Sequence, residues 1–395
     1  MINADLVFFD AGGGHRAASE ALRLVMEERG GWNTQMVNLQ ELLDPIDLSR
    51  KLLGLRMQDL YNLKLKKGWT LGTPQTVRVM QFLIRMLHPK TVRLLEDFWR
   101  PRPVDIVVSV VPHFNRALAE SLRRVRPAAR FATILTDLAD YPPHFWMEPD
   151  GGYIICGTDR AVAQARAMKI GENRIFQAQG MILHPRFYEP TFCDRRTERR
   201  QRGLDPDLPT GLVLFGGQGS EAMLEIAERL DAEGPHHLQL IFICGRNQKL
   251  AEALRRRRRA RVHAFVEGFT KDIPFYMLLS DFLIGKPGPG SVSEAVAMRL
   301  PVIVERNAWT LPQERYNAEW VLEKHLGLVV RGPHQIPAAV KEMLERGNLS
   351  RFRAQAAAIR NRAVFEIPGI LRRIVEGPPS PSPLEPETSL REQRA

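Results

Sequence analysis

Cysteine is scarce: the 395 residues hold three, Cys156, Cys193 and Cys244. They are too few and too scattered for a disulfide framework or a zinc site, and a reducing, cytoplasmic setting fits them. Long apolar runs are also absent, and none reaches the roughly 18 residues that a spanning helix needs. The opening residues, MINADLVFFDAGGG, lack a basic flank, and Asp5 interrupts their short apolar stretch, so they do not read as a signal peptide. No group of residues has metal-ligand spacing, no G-x-S-x-G or Walker motif occurs, and no repeat of fixed period is visible. Compositional bias is missing too. With 26% charged and 44% hydrophobic residues the usage is ordinary, which excludes whole-chain disorder and collagen-like repetition. The expectation is a protein with no resident metal or cofactor, soluble or lying on a membrane without crossing it.

What the sequence does have is unevenly placed positive charge. The net charge is +11, and residues 50–100 hold 11 basic residues against Asp59, Glu96 and Asp97, a net +8. Such a segment attracts phosphate, on nucleic acid or on an anionic lipid surface, or is a solvated face. Within it, residues 75–87 place Val77, Met80, Leu83 or Ile84, and Leu87 at helical spacing, with basic residues at the flanks. Two readings fit: an interfacial helix, or an amphipathic helix packed on its own domain. The run Arg255 to Arg259 ends a helical stretch, where cations favour the helix dipole, and no aromatic-interleaved platform accompanies it. Nucleic acid is therefore not an expected partner.

Short apolar, β-branched runs alternate with helical stretches, the signature of a parallel sheet covered by helices. The runs fall at 5–10, 33–38, 104–111, 131–136 and 153–156. Proline and charge then interrupt the pattern over 184–210, and it resumes at 211–216, 238–244, 262–266, 281–285, 301–305 and 327–330. This predicts an α/β chain of two Rossmann-like domains, 1–188 and 211–365, joined by a linker at 189–210. A terminal segment follows at 366–376. Residues 377–395, rich in proline and poor in apolar residues, read as a disordered tail.

Several motifs sit at strand ends. Gly12-Gly13-Gly14-His15 lies between a strand and a helix, where glycines let a ligand approach the backbone and free N–H groups face an anion. His15 at that N-terminus is held neutral by the dipole and able to act as a base; a tight turn with a capping-region histidine fits equally. Gly12-x-Gly14-x-x-Ala17 also matches a dinucleotide fingerprint, but the second strand ends in Asn38 and the nearest acid is Glu41. Lys286-Pro287-Gly288-Pro289-Gly290-Ser291 has the form of a diphosphate loop, and Glu294 one turn on is placed for ribose hydroxyls. Ser291 and Glu294 also satisfy a capping box. Gly216-Gly217-Gln218-Gly219-Ser220 is a second anion-cradling loop. Gln313-Glu314-x-x-Asn317 offers polar groups to sugar hydroxyls, and Thr136-Asp137 puts an acid at a strand's carboxyl end, where such sheets bind ligands.

The stretches DAGGGHRAASEAL, LTDL, LFGGQGS, ICGRN, VEGFTKDI, GKPGPGSVSEAV and LPQERYN, in this order, resemble the monogalactosyldiacylglycerol synthases, and the resemblance covers about residues 5–330. That family implies the GT-B fold, two Rossmann-like domains facing a cleft, and inverting transfer from a UDP-sugar. Its relatives are the N-acetylglucosaminyltransferase of peptidoglycan synthesis and the processive diacylglycerol glucosyltransferases. This chain departs from the pattern in its abrupt start, in GGQGS, which lies closer to the peptidoglycan enzyme, and in residues 50–100, alike in character only. By resemblance the first half binds the lipid acceptor, and His15 and Asp137 match positions at the catalytic centre. His15 is read as base, with Asp137 as its partner or the alternative base; Gly13 and Gly14 are read at the site from their own loop. The second half binds UDP-galactose or UDP-glucose, with Gly288, Gly290 and Ser291 matching the diphosphate loop and Gly217 and Ser220 read there from the form of the second loop. Glu294 would hold the ribose, Phe269 and Thr270 the uracil, and Gln313 and Glu314 the donor sugar. The expected partners are the UDP-sugar, the lipid, and an anionic surface met by residues 50–100 on the inner membrane face. A sugar-nucleotide epimerase of the same architecture and a dinucleotide oxidoreductase are the competing readings.

Overall fold

The computed structural model describes residues 1–10, 13–46, 73–141, 143–189, 193–257, 261–308 and 310–378. Part of the basic segment, 50–72, and the expected tail beyond Pro378 lie outside the described residues.

Among the described residues twelve strands form two sheets, every pairing parallel. The first contains β1 (Ile2–Phe8), β2 (Trp32–Asn38), β3 (Ile106–Ser109), β4 (Arg130–Ile134), β5 (Tyr153–Cys156) and β6 (Ile175–Gln177), in the order β2-β1-β3-β4-β5-β6. The second contains β7 (Thr210–Leu214), β8 (Gln239–Ile243), β9 (His263–Glu267), β10 (Phe282–Gly285), β11 (Val302–Glu305) and β12 (Gly327–Val330), in the order β12-β11-β10-β7-β8-β9. Central strands such as IVVS and QLIFI are buried on both faces, which is why they read as continuous apolar runs and not as alternation. The edge strand β6 escapes sequence reading. It has three residues, IFQ, none of them fully buried, so no apolar run marks it.

Helices cover both faces of each sheet. Helix Gly14–Arg29 buries Ala18, Ala21, Leu22, Val25 and Met26 on the first. A late helix, Ala363–Glu376, packs on the same core through Val364, Ile367, Ile370, Leu371 and Ile374. The chain therefore crosses to the second sheet and returns, and the Gln179 carbonyl accepts from both Arg362 and Ala363 N–H at the crossing. Leu138, Met181, Leu183 and Phe187 of the first half join the core of the second sheet.

The amphipathic stretch in the basic segment belongs to one helix, Thr73–Trp99. Its later turns pack on the first domain through Val92, Leu95 and Trp99. Further toward its N-terminus Phe82 is 60% and Met86 63% exposed, with Leu83 and Arg85 exposed beside them. Packing thus accounts for part of the apolar face, and another part meets solvent.

Candidate active site

In the second sheet the strand order reverses between β7 and β10, so a crevice opens where the loops after these two strands diverge, and open α/β sheets bind ligands there. Both glycine-rich motifs fall on those two loops. In the loop after β7, Gly216 and Gly219 adopt left-handed φ of 76° and 63°. A Cβ on Gly219 would stand 2.7 Å from the Cys244 carbonyl oxygen, so this glycine permits close backbone packing. Arg246 N–H donates to the Gly217 carbonyl at 2.9 Å, tying the loops after β7 and β8 together. Gly217 and Gly290 differ: a Cβ on either would meet nothing within 4 Å, and both are exposed. The space in front of their backbones is open.

Helix Pro289–Ala297 begins at Gly288, without a side-chain cap. The capping-box reading of Ser291 and Glu294 is thereby overturned: Ser291 lies inside the helix. The half-buried Glu294 carboxyl has no hydrogen bond or ion pair among the described residues, and desolvation pushes its pKa up to about 7. Lys286 donates to Glu314 Oε1 at 3.0 Å, joining the loop after β10 to the turn Pro312–Glu314 that carries the half-buried Gln313. Asn317, expected to face sugar, is instead fully buried and donates to the Pro287 carbonyl at 2.8 Å. Its position on the inner side of helix Arg315–Glu323 gives it to the loop scaffold. Phe269 is 52% exposed, with the Arg246 guanidinium 4.8 Å from its ring centroid. Thr270 and Ser220 hydroxyls accept from Asp272 and Ala222 N–H and shape their turns.

In the first sheet the order turns between β1 and β3, and the residues at those strand ends and at the end of β4 converge. Gly13 takes φ 81° directly before helix Gly14–Arg29, and neither Gly13 nor Gly14 has an atom within 4 Å of an added Cβ. His15 lies in the first turn of that helix, half-buried, its Nδ1 3.2 Å from Thr136 Oγ1 and its ring 5.7 Å from that of Trp146. Crowding by protein lowers its pKa to about 4, with a backbone hydrogen bond to Val110 opposing. The imidazole is thus held neutral by desolvation, and not by the helix dipole expected from the sequence.

Asp137 is buried, and Oδ2 accepts from the Trp146 indole N–H at 2.9 Å. Its pKa is raised to about 7, chiefly by desolvation. The Trp146 bond opposes the shift, Glu314 and Asp140 add to it, and Lys286 counters it. Glu314 and Lys286 belong to the second half, so the halves meet electrostatically at Asp137. The two catalytic candidates are not hydrogen-bonded to each other: the imidazole bonds Thr136, and Asp137 bonds Trp146. Trp146 escapes sequence reasoning. The only local clue is the turn-rich stretch ADYPPHFW directly after LTDL.

Known proteins resemble this chain in sequence and in fold. Residues 211–370 match the glycosyltransferase family 28 C-terminal domain. The chain is 27% identical over 397 residues to the "Probable monogalactosyldiacylglycerol synthase 2, chloroplastic" of Oryza sativa subsp. japonica, covering 95% of this chain and 81% of that protein. It is 27% identical over 353 residues to the monogalactosyldiacylglycerol synthase of Spinacia oleracea, covering 85% and 65%. Among solved structures, Acinetobacter baumannii MurG superposes with a TM-score of 0.58 at 13% identity, covering 94% of this chain and 100% of that one. Staphylococcus aureus MnaA, solved with UDP, gives 0.60 at 14%, covering 96% and 99%. At these identities the structural likeness speaks for the fold. The chain is a glycosyltransferase of the GT-B fold, similar over most of its length to the monogalactosyldiacylglycerol synthases.

Proposed function

We propose that the enzyme transfers a hexose from UDP-galactose or UDP-glucose, with inversion, to the free hydroxyl of diacylglycerol, giving a β-glycosyl glycolipid. The observation that carries the donor half is the pair of glycine-rich loops at the switch point of the second sheet, open in front of Gly217 and Gly290. Their N–H groups and the start of helix Pro289–Ala297 face the diphosphate, and Lys286 adds positive charge as UDP leaves. The unpartnered Glu294 accepts ribose hydroxyls, Phe269 and Thr270 hold the uracil, and Gln313 and Glu314 read the sugar. Relatives named as monogalactosyldiacylglycerol synthases support the lipid acceptor.

In the acceptor half Asp137 is the base. A carboxylate titrating near 7 both exists at neutral pH and draws a proton well, whereas an imidazole held near 4 is a weak base. His15, with Gly13 and Gly14, orients the acceptor oxygen beside it. The lipid is insoluble, so the enzyme works as a peripheral protein on the inner membrane face. No described helix is long and apolar enough to cross a membrane. The exposed Phe82, Leu83 and Met86 enter the bilayer surface, and the basic residues of 50–100 contribute roughly 1 kcal/mol each near anionic lipid. The test is incubation with separate UDP-sugars, with and without diacylglycerol vesicles, followed by assay of UDP and lipid product. Sugar-nucleotide conversion that needs no lipid would support the epimerase reading and refute this one.

A further inference from the structure

We propose that Trp146 is a positioning residue of the reaction centre, fixing one oxygen of Asp137 so that the other takes the acceptor proton. This rests on the reading of Asp137 as base. Trp146 is fully buried, and each of its polar groups is held. Its N–H donates to Asp140 Oδ1 at 2.7 Å, and its carbonyl accepts from Asn115 Nδ2 at 2.9 Å. Asp140 Oδ2 also takes the His144 N–H, and the backbone of Asp140 is gripped on both sides by the Gln164 amide, 2.9 Å each way. Asn115 is set in turn by Ser109 and the Val111 carbonyl. Buried polar groups are costly unless they are satisfied, and these bonds fix the Trp146 backbone so that its indole is held in one direction. The frame joins the loops after β3 and β4 to helix Asp159–Ala167, and it aims one remaining donor, the indole N–H, at Asp137 Oδ2.

Asp137 Oδ1 has no hydrogen bond from any described residue. The indole ring also stands beside His15, tilted by 54°, so one side chain sets the spacing of both acceptor-side groups. The charges facing Asp137 are Asp140 on its own loop and Glu314 and Lys286 across the cleft, and the neutral His15 stands beside the indole. Glu314 is paired with Lys286, which leaves the indole as the one neutral donor acting on the carboxylate among these groups. A donor to a carboxylate favours its ionised form, so removing it must raise the pH at which the base ionises.

Trp146→Phe keeps an aromatic ring and removes the N–H. The acid limb of kcat/KM should move up by about one pH unit, the value of one hydrogen bond to a charged group. Activity should fall about tenfold on that limb and recover toward wild type above it. Should this variant not fold, the wild-type protein carries its own test. Among the six tryptophans, one indole 15N–1H resonance should titrate with the midpoint of the acid limb and lose that titration in Asp137→Asn. A folded Trp146→Phe enzyme slowed equally at all pH, or an indole spectrum with no such titration, overturns the proposal. A wild-type enzyme that moves no sugar to lipid overturns the functional reading instead, and the indole titration then still decides whether Trp146 and Asp137 are coupled.

Discussion

At their strand switch points the two halves present different surfaces: open glycine backbone with side chains at its edge in the second, and mainly side chains in the first. Around β7 and β10 the open positions are glycines; Lys286 and Glu314 beside them are already paired, and Glu294 one turn on is the acid unpartnered among the described residues. Around β1, β3 and β4 the site consists of His15, Thr136, Asp137 and Trp146, two of them titrating far from their ordinary values. Both sheets are six-stranded, parallel and covered by helices. The difference fits the chemistry proposed for each half. A fixed diphosphate suits fixed N–H donors, whereas proton transfer needs a group whose pKa has been moved by its surroundings.

If the division is right, damage to each half should have a different kinetic signature. The largest effect is expected from Asp137→Asn: turnover down by about 10²- to 10⁴-fold, with UDP affinity by calorimetry near wild type. His15→Ala should lose less, since its imidazole orients and does not abstract. The opposite ranking would return the base role to His15.

Next come the donor-half glycines. Gly290→Val places its side chain in open space, so thermal stability should hold while UDP affinity drops roughly tenfold or more through lost phosphate hydrogen bonds. Gly219→Ala should do the reverse, lowering Tm, because it forces a Cβ against the Cys244 carbonyl at a left-handed φ. Loss of UDP binding in Gly219→Ala with Tm unchanged would erase the distinction between packing and ligand-facing glycines.

Glu294→Ala should weaken UDP roughly tenfold and pyrophosphate little, since the lost bonds go to ribose. The pH dependence has a defined sign. A carboxyl raised to about 7 in the fold binds its proton more tightly there than in the unfolded chain, so its stabilising contribution is full below the unfolded value near 4.5 and fades as pH rises through 7. Glu294→Gln should therefore raise Tm relative to wild type at pH 8 and change it least at pH 4. UDP affinity of the wild type should rise over the same interval as the carboxylate forms. Equal Tm differences at both pH values would refute the raised pKa.

The smallest effect on chemistry is expected at the exposed apolar face of helix Thr73–Trp99. Changing Phe82 and Met86 to Ser should reduce binding to anionic vesicles while turnover of detergent-dispersed acceptor stays near wild type. Unchanged vesicle binding would mean that the exposed apolar face meets something other than lipid.

Much of the donor half is legible from local signals. A strand buried on both faces must be continuously apolar, and a loop that admits a ligand to its backbone must be glycine-rich, so β7, β10 and the loops that follow them stand out as short motifs. The expected ends of these strands are displaced by only a few residues, because apolar runs continue into the loops they feed. The acceptor half is legible only in part. LTDL marks Asp137, and GGGH marks His15, since each lies at the end of a strand. Trp146, Asp140 and Asn115 carry no motif, because their roles arise from hydrogen bonds between separate loops.

The chain order of apolar runs and glycine turns dictated two parallel α/β sheets, since period and turn chemistry are properties of neighbouring residues. Tertiary structure alone decided which way the acids titrate and what holds the imidazole neutral. Desolvation depends on everything packed around a group, and Asp137 is enclosed by its own loop, by the Trp146 indole and by charges from the opposite half. It also decided that helix Ala363–Glu376 belongs to the first sheet: an amphipathic helix fixes which of its faces is buried, but the surface that buries it is chosen by where the chain returns.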